Sequence, residues 1–223
     1  MKVFQIGFNR CGTTSIWRRL EALGFSAIHL NTNDGQNIAL TMQANLADEK
    51  PILTGLEAYD AFTDIEAQRE DRFVEGYKFY PQILEQVPDA WFILNVRDRE
   101  RWIGSRLDHI DGSYAQVLLK LSGLPSLESL ADRWRHDWEH HIAAVQATIP
   151  TDRLLVLNIE TDDLAEIDRF LDRRLVKPLS PVPHNFTRSR ISRILSSIVP
   201  QTIKRALPKE VKQAFHHLLR KRH

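Results

Sequence analysis

The sequence predicts an α/β fold: a three-layer, doubly wound parallel sheet of the nucleoside-phosphate-binding type, followed by a basic helical tail. Short apolar runs alternate with segments of helical period along residues 1–171. The run Ala90–Val96 is almost continuously apolar, as a central parallel strand must be when both its faces are covered. The first run, Val3–Ile6, feeds directly into Gly7-x4-Gly12-Thr13-Thr14 and then into a helix, which is the strand–loop–helix context of a phosphate-binding loop.

The remaining elements follow in order. Thr14–Leu23 places Ile16, Leu20 and Leu23 on one helical face, and Gly24 ends it. Ser26–Leu30 reads as a second strand and Asn31–Gln36 as a polar loop. Gln36–Ala47 reads as helix, Pro51–Thr54 as a turn or short strand, and Ala58–Thr63 as a strand closing at Asp64. Phe73–Gln86 has helical spacing through Val74, Tyr77, Ile83 and Leu84. Arg99–His109 is helical, Asp111–Leu127 a variable insert, and Leu130–Thr148 a long helix rich in Trp and His. Arg153–Ile159 is a strand, Leu164–Leu171 a helix, and Ser180–Pro183 a proline-punctuated loop.

With 223 residues and 43% hydrophobic content, the chain can bury a full core. Its single cysteine, Cys11, excludes an internal disulfide framework and a cysteine zinc cluster. The early apolar run is broken by Gln5, Asn9 and Arg10, so no signal peptide is expected, and a soluble, cytoplasmic protein is the default. The formal net charge of +1 conceals an asymmetry: residues 186–223 carry ten Lys/Arg against one acid, Glu210, leaving the rest net acidic. We therefore divide the chain into an α/β domain over 1–185 and a basic amphipathic tail over 186–223. The tail has apolar stripes through Ile191, Ile194, Leu195 and Ile198 and through Ile203, Leu207, Val211 and Phe215. It fits a hairpin packed on the domain, an interfacial anchor at the inner membrane surface, or a contact to acidic glycan; nucleic acid is the weakest partner.

In the first loop, Gly7 and Gly12 let the backbone bend toward an anion. The N–H groups from Arg10 to Ser15, including those of Cys11 and Gly12, would converge on it, with Asn9 alongside. Thr13, Thr14 and Ser15 add hydroxyls, and Arg10 adds charge at the apex. A lysine after the second glycine, needed by nucleoside triphosphatases, is absent; Thr13 stands there. The plain alternative is a capped helix whose glycines serve packing. A second basic element follows the buried strand at Arg97, with Ser105 eight residues on. Its plain alternative is a strand-edge Arg paired to Asp98 or Glu100.

Together these motifs resemble the sulfotransferases that use 3′-phosphoadenosine-5′-phosphosulfate (PAPS). The Gly7–Ser15 loop resembles the family's 5′-phosphosulfate loop, and Arg97 with Ser105 matches its Arg-x7-Ser 3′-phosphate site. Tyr59–Asp64 and Val87–Asp98 resemble a sulfotransferase-like subgroup. Arg10 stands where Lys is most common, and Arg99 where Pro often follows Arg-Asp. The resemblance implies sulfuryl transfer from PAPS to a hydroxyl or, second, an amine, with 3′,5′-ADP as product, no metal, and a carbohydrate, glycolipid or small-molecule acceptor. It further implies that Arg10 stabilises the leaving oxygen and that Arg188 and Arg190 close over the 3′-phosphate.

Asp64 is the first candidate for the base and His29 the alternative; Asp64 could instead serve as a strand-end carboxylate bonding a loop amide or Arg10, and His29 as a structural residue. His136, His140 and His141 lack a His-Glu-x-x-His pattern and read as a solvated or acceptor-facing helix; Trp134 and Trp138 read as core or pocket wall. A nucleotide kinase and a non-catalytic, membrane-docked nucleotide-binding module remain the alternative functions.

Overall fold

The computed structural model describes residues 1–179. Five parallel strands form one sheet: β1 (Lys2–Gln5), β2 (Ala27–His29), β3 (Ala61–Thr63), β6 (Ala90–Val96) and β7 (Leu154–Asn158), in the order β2-β3-β1-β6-β7. A two-stranded antiparallel ribbon, β4 (Ala67–Gln68) and β5 (Phe73–Val74), lies outside it. From β1 the chain first builds the β3/β2 side, then crosses to build β6 and β7. The order reverses at β1, and in open parallel sheets ligands bind in the crevice beyond the strand ends at such a reversal.

Strand alternation sends successive side chains to opposite faces. Val3, Ala61 and Ile93 pack on one side against α1 (Thr13–Ala22) and α7 (Ala165–Phe170), through Ile16, Leu20 and Ile167. Phe4, Phe62, Phe92 and Leu94 pack on the other. There they meet α2 (Ile38–Ala47), α3 (Tyr80–Gln86), α4 (Arg99–Leu107), α5 (Ser113–Ser122) and α6 (Leu127–Thr148). Phe4 stacks on Phe62 with ring centroids 4.9 Å apart. These two cores make the three layers the sequence predicts. Arg19 of α1 grips Asp168 of α7 through Nε at 2.6 Å and Nη2 at 2.5 Å, a forked pair that fixes the helix following the first loop.

Four expectations need correction. Phe73–Gln86 is not one helix: it holds β5, a 3-10 turn at Gly76–Phe79, and α3 with a proline in its first turn. Pro81 lacks the amide a longer helix would need there and is pre-shaped to start one. The segment 111–127, expected as a variable insert with no element assigned, carries a packed helix: Tyr114, Ala115 and Leu118 are the buried stripe of α5, bounded by Gly112 and Gly123 at φ 82° and 66°. The strand expected at Ala58–Thr63 is regular only over its last three residues, and α6 begins earlier than expected because Ser126 caps the Ser129 amide at 3.1 Å. The division at 185/186, the loop at 180–183, the tail, and Arg188 and Arg190 lie outside the described residues. No helix among the described residues is long and apolar enough to cross a membrane.

Gly7 is required by close approach rather than by its dihedrals. A Cβ there would fall 2.7 Å from the Asn95 amide nitrogen and closer still to its carbonyl oxygen, near the C-terminal end of β6. We expect Gly7→Ala to cost at least about 1–3 kcal/mol through overpacking against a strand that cannot move. Urea denaturation measures it; wild-type stability would show that the loop can lift off β6.

Candidate active site

The loop after β1 is held by its carbonyl groups. The Ile6 oxygen meets His141 Nε2 at 2.7 Å, and Gly7 O accepts from Gln5 Nε2 at 2.8 Å. Phe8 O and Cys11 O accept from the two hydrogens of Asn95 Nδ2 at 3.1 and 2.7 Å. Asn9 O accepts from Trp102 Nε1 at 3.0 Å, and Arg10 O from Arg97 Nη1 at 3.2 Å. Thus every carbonyl from Ile6 to Cys11 is drawn back into the protein by a side chain. The opposite backbone face is left open: no N–H from Phe8 to Thr14 donates to an acceptor among the described residues. Arg10 at φ 61° and Gly12 at φ 73° supply the left-handed turns that gather successive N–H groups into a concavity suited to an anion. Unlike α2, α4 and α6, helix α1 has no side-chain cap, and unlike α4 and α6 it has no acid in its first turn, so its N-terminal dipole adds to that concavity.

The expected convergence of amides from Arg10 to Ser15 shifts along the chain. The open set instead spans Phe8–Thr14, because the Ser15 amide donates to Gly12 O at 3.0 Å. Phe8, 1% exposed, stacks on Trp138 at 4.7 Å and anchors the loop in the core. Asn9 and Cys11 face inward too, Cys11 with no exposed surface; burial pushes the Cys11 thiol up to about 12 and keeps it neutral. Thr13 is buried against Asp64, where its hydroxyl bond favours the carboxylate. Thr14 and Ser15 are half-buried at the start of α1.

Arg10, Arg97 and Ser105 come together. Ser105 Oγ accepts from Arg10 Nε at 3.1 Å, leaving both Arg10 Nη groups without an acceptor among the described residues. Burial and the neighbouring Arg97 lower the Arg10 pKa while Asp64 raises it, with a net downward shift. The guanidinium still stays charged, since an arginine does not lose its proton in proteins. Arg97 does not pair with Asp98 or Glu100. Its Nη2 donates to Glu160 Oε1 at 2.7 Å, and Glu160 Oε2 accepts from the Asp98 amide at 3.0 Å. That amide and Arg97 hold the Glu160 carboxyl below its ordinary range. Asp98 itself caps α4 through the Arg101 amide at 2.8 Å. Arg99, at the first turn of α4, pairs with Glu100 at 3.0 Å and with Glu139 of α6.

Asp64 and His29 form a pair rather than two alternatives. Asp64 sits at φ 55° just past β3, its amide held by Gln5 Oε1 at 2.7 Å. His29 Nε2 is 3.7 Å from Asp64 Oδ2 and 3.5 Å from the Thr14 hydroxyl. The Thr63 hydroxyl donates to Ile28 O at 3.0 Å, so it accepts from His29 Nδ1, also at 3.0 Å. Nδ1 therefore carries the proton, and in neutral His29 the Nε2 lone pair faces Asp64 and Thr14. Burial raises the Asp64 pKa, against the pull of His29, Thr13 and Arg10. Burial lowers that of His29, against Asp64. The two affinities approach each other, which suits a group that takes and passes on a proton.

Residues 2–136 match the sequence profile of a family described as Sulfotransferase domain, more than half of the chain. The chain belongs to the sulfotransferase family. No curated protein matches it.

Against this sulfotransferase frame, several residues that build the site carried no motif. Gln5 and Asn95 are polar residues inside buried strands, and that interruption was the available signal; Gln5 Nε2 also reaches Asn95 Oδ1 at 2.5 Å. Glu160 lies beyond β7 without any local pattern. Glu66, two residues past Asp64, is buried beside the loop. On α6, Trp134 and Trp138 are core, and His141 is buried rather than solvated; His136 and His140 are exposed.

His141 yields a pH prediction. Burial lowers its pKa from 6.5 to about 4, so the folded chain holds it neutral while the unfolded chain binds a proton below 6.5. Its contribution is present above pH 6.5 and is lost as pH falls through about 4, up to about 3 kcal/mol. Denaturation midpoints of wild type and His141→Gln should converge across that window. Parallel curves would show that His141 is already protonated in the fold.

Proposed function

We propose that this sulfotransferase moves a sulfuryl group from PAPS to a hydroxyl acceptor, releasing 3′,5′-ADP. The observation that supports it best is the loop whose carbonyls are all tied back and whose amides are unpaired among the described residues, with Arg10 at its apex and Arg97 bonded to the Arg10 carbonyl. The residues present fit the donor: open amides and a helix N-terminus suit its 5′-phosphate, and Arg10 and Arg97 suit its phosphate and sulfuryl oxygens. Arg97, turned from the Arg10 carbonyl or from Glu160, would take the 3′-phosphate. Bound, the donor supplies an activated sulfur–oxygen bond.

This chain's own residues would do the rest. The S–O bond to the 5′-phosphate breaks as an S–O bond to the acceptor oxygen forms. The free Nη groups of Arg10 would stabilise the charge growing on the leaving oxygen, since preorganised donors aimed at developing charge are the largest lever in such transfers. Asp64 would take the acceptor proton, with His29 Nε2 behind it to share the charge. A saccharide or glycolipid hydroxyl is the acceptor class we propose, on the resemblance and on the basic tail of residues 186–223. That tail also supports a cytoplasmic enzyme working at the inner membrane surface.

Calorimetric titration tests the donor site. We expect 3′,5′-ADP to bind without metal and in preference to ATP with Mg²⁺, and Arg97→Ala to weaken it about 10- to 100-fold, the worth of a charged hydrogen-bond pair. Preference for ATP with Mg²⁺ would replace the proposal with a kinase. Asp64→Asn should keep nucleotide affinity but lower turnover of a PAPS donor about 10²- to 10⁴-fold. Unchanged turnover would remove Asp64 from the proton path.

A further inference from the structure

Glu66 is a buried acid that the proposed reaction does not use. It is 7% exposed and sits behind the loop. Its Oε1 accepts from Asn9 Nδ2 at 2.7 Å, and the second Nδ2 hydrogen goes to the Tyr114 hydroxyl at 3.0 Å. The other oxygens of the same two planar groups, Asn9 Oδ1 and Glu66 Oε2, are both buried and both lack a partner among the described residues. Two bare acceptors on groups already joined through their other atoms form an arrangement that a carboxylate cannot satisfy, because it has no hydrogen to give. One proton on Oε2 would supply the missing donor and, given to Asn9 Oδ1, would complete a ring of two hydrogen bonds, N–H···O on one side and O–H···O on the other.

We propose that Glu66 is a neutral carboxylic acid locked in a two-bond ring with the Asn9 amide, a positioning residue that fixes the anion loop and leaves the local negative charge on Asp64. Every element packed around it bears on this state. Asp64 beyond β3 and Glu75 ahead of α3 oppose ionisation, while Arg106 of α4 and the Asn9 bond favour it. Tyr77 also senses the Glu66 charge, as does Tyr114 of α5. Burial outweighs the rest and carries the carboxyl up to about 8. Arg106, the cation that favours ionisation, gives its Nη2 to the Tyr114 hydroxyl at 2.6 Å, and its buried Nε has no partner among the described residues, Glu66 included. Its guanidinium carbon lies 4.5 and 4.8 Å from the ring centroids of Trp134 and Trp102.

Two carboxyls two residues apart cannot both ionise cheaply. Keeping Glu66 protonated lets Asp64 remain the anion that Arg10, Thr13 and His29 face. Asn9 in turn carries the loop, since its carbonyl is the one held by Trp102.

The test does not depend on the ligand. The folded pKa lies above the unfolded value of 4.5, so the stability Glu66 contributes is full below about 4.5 and is lost as pH rises through about 8. Glutamine keeps both ring bonds and cannot titrate. The melting temperature of wild type should therefore fall relative to Glu66→Gln between pH 5 and 8, and the two curves should run parallel above that. With glutamate labelled in its side-chain carboxyl, carbon-13 NMR of the wild-type chain should show one resonance with a midpoint near 8, a reading that needs no variant to fold. If every glutamate titrates below pH 6, or the melting curves are parallel throughout, Glu66 is a carboxylate and the inference is overturned. The consequence for the loop rests on the proposed donor site: 3′,5′-ADP affinity of wild type should fall several-fold above pH 8 while that of Glu66→Gln stays level. Weak binding by both at every pH, beside a glutamate that titrates near 8, would count against the donor and leave the Glu66 ring standing.

Discussion

Everything at this site depends on one constraint: the backbone from Ile6 to Cys11 has its carbonyls pulled inward by side chains. A peptide unit that turns its oxygen one way turns its N–H the other way. Fixing the carbonyls therefore orients the amides before any ligand arrives, and preorganised donors of this kind need no rearrangement when negative charge appears. The donors come from β1 (Gln5), β6 (Asn95), the strand end after it (Arg97), α4 (Trp102) and α6 (His141). The concavity consequently exists only when the sheet and the larger helical layer are assembled together.

The same constraint explains why polar residues occupy places that an apolar core would otherwise fill. Asn95 is fully buried on the central strand next to β1, and each of its side-chain atoms has a partner. Leaving it unpaired would be costly; fully bonded, it specifies one loop conformation. Gln5 plays the matching part on β1. Through Oε1 it also holds the Asp64 amide, so one side chain joins the anion loop to the acid–histidine pair.

The parts of this arrangement that could be read from the sequence are those encoded locally. The strand–loop–helix of residues 3–23 has its glycines, hydroxyls and Arg10 in a fixed order, and Arg97 follows an apolar run that could only be a buried strand. Elements whose signal is distributed were harder. Helix α5 shows just three buried positions between two glycines, and the β4–β5 ribbon is two residues per strand, too short for alternation to appear. Glu160 and Glu66 act through partners distant in the chain, Arg97 and Asn9, so neither spacing nor periodicity marks them. The separate roles given to Ser105 and the first loop also needed the fold, because only there does the α4 serine meet Arg10 across 95 positions.

That contact bears on the choice of arginine at the loop apex. An ammonium carries its three hydrogens on one nitrogen, so Ser105 and the anion would have to share that atom. A guanidinium can be anchored at Nε while its two Nη groups stay available as a planar fork. Arg10 holds this geometry at φ 61°, a left-handed turn that a non-glycine residue adopts only when its surroundings enforce it. Here the enforcement is visible on both sides of the residue: Arg97 fixes its carbonyl, and Ser105 fixes its side chain. The charge distribution completes the device. Glu160 balances Arg97, Asp64 balances Arg10, and a protonated Glu66 would add nothing to either. With each arginine offset by one carboxylate, the two need not repel each other when the site is empty, while the Arg10 Nη groups and the loop amides stay without acceptors among the described residues and so available to an anion.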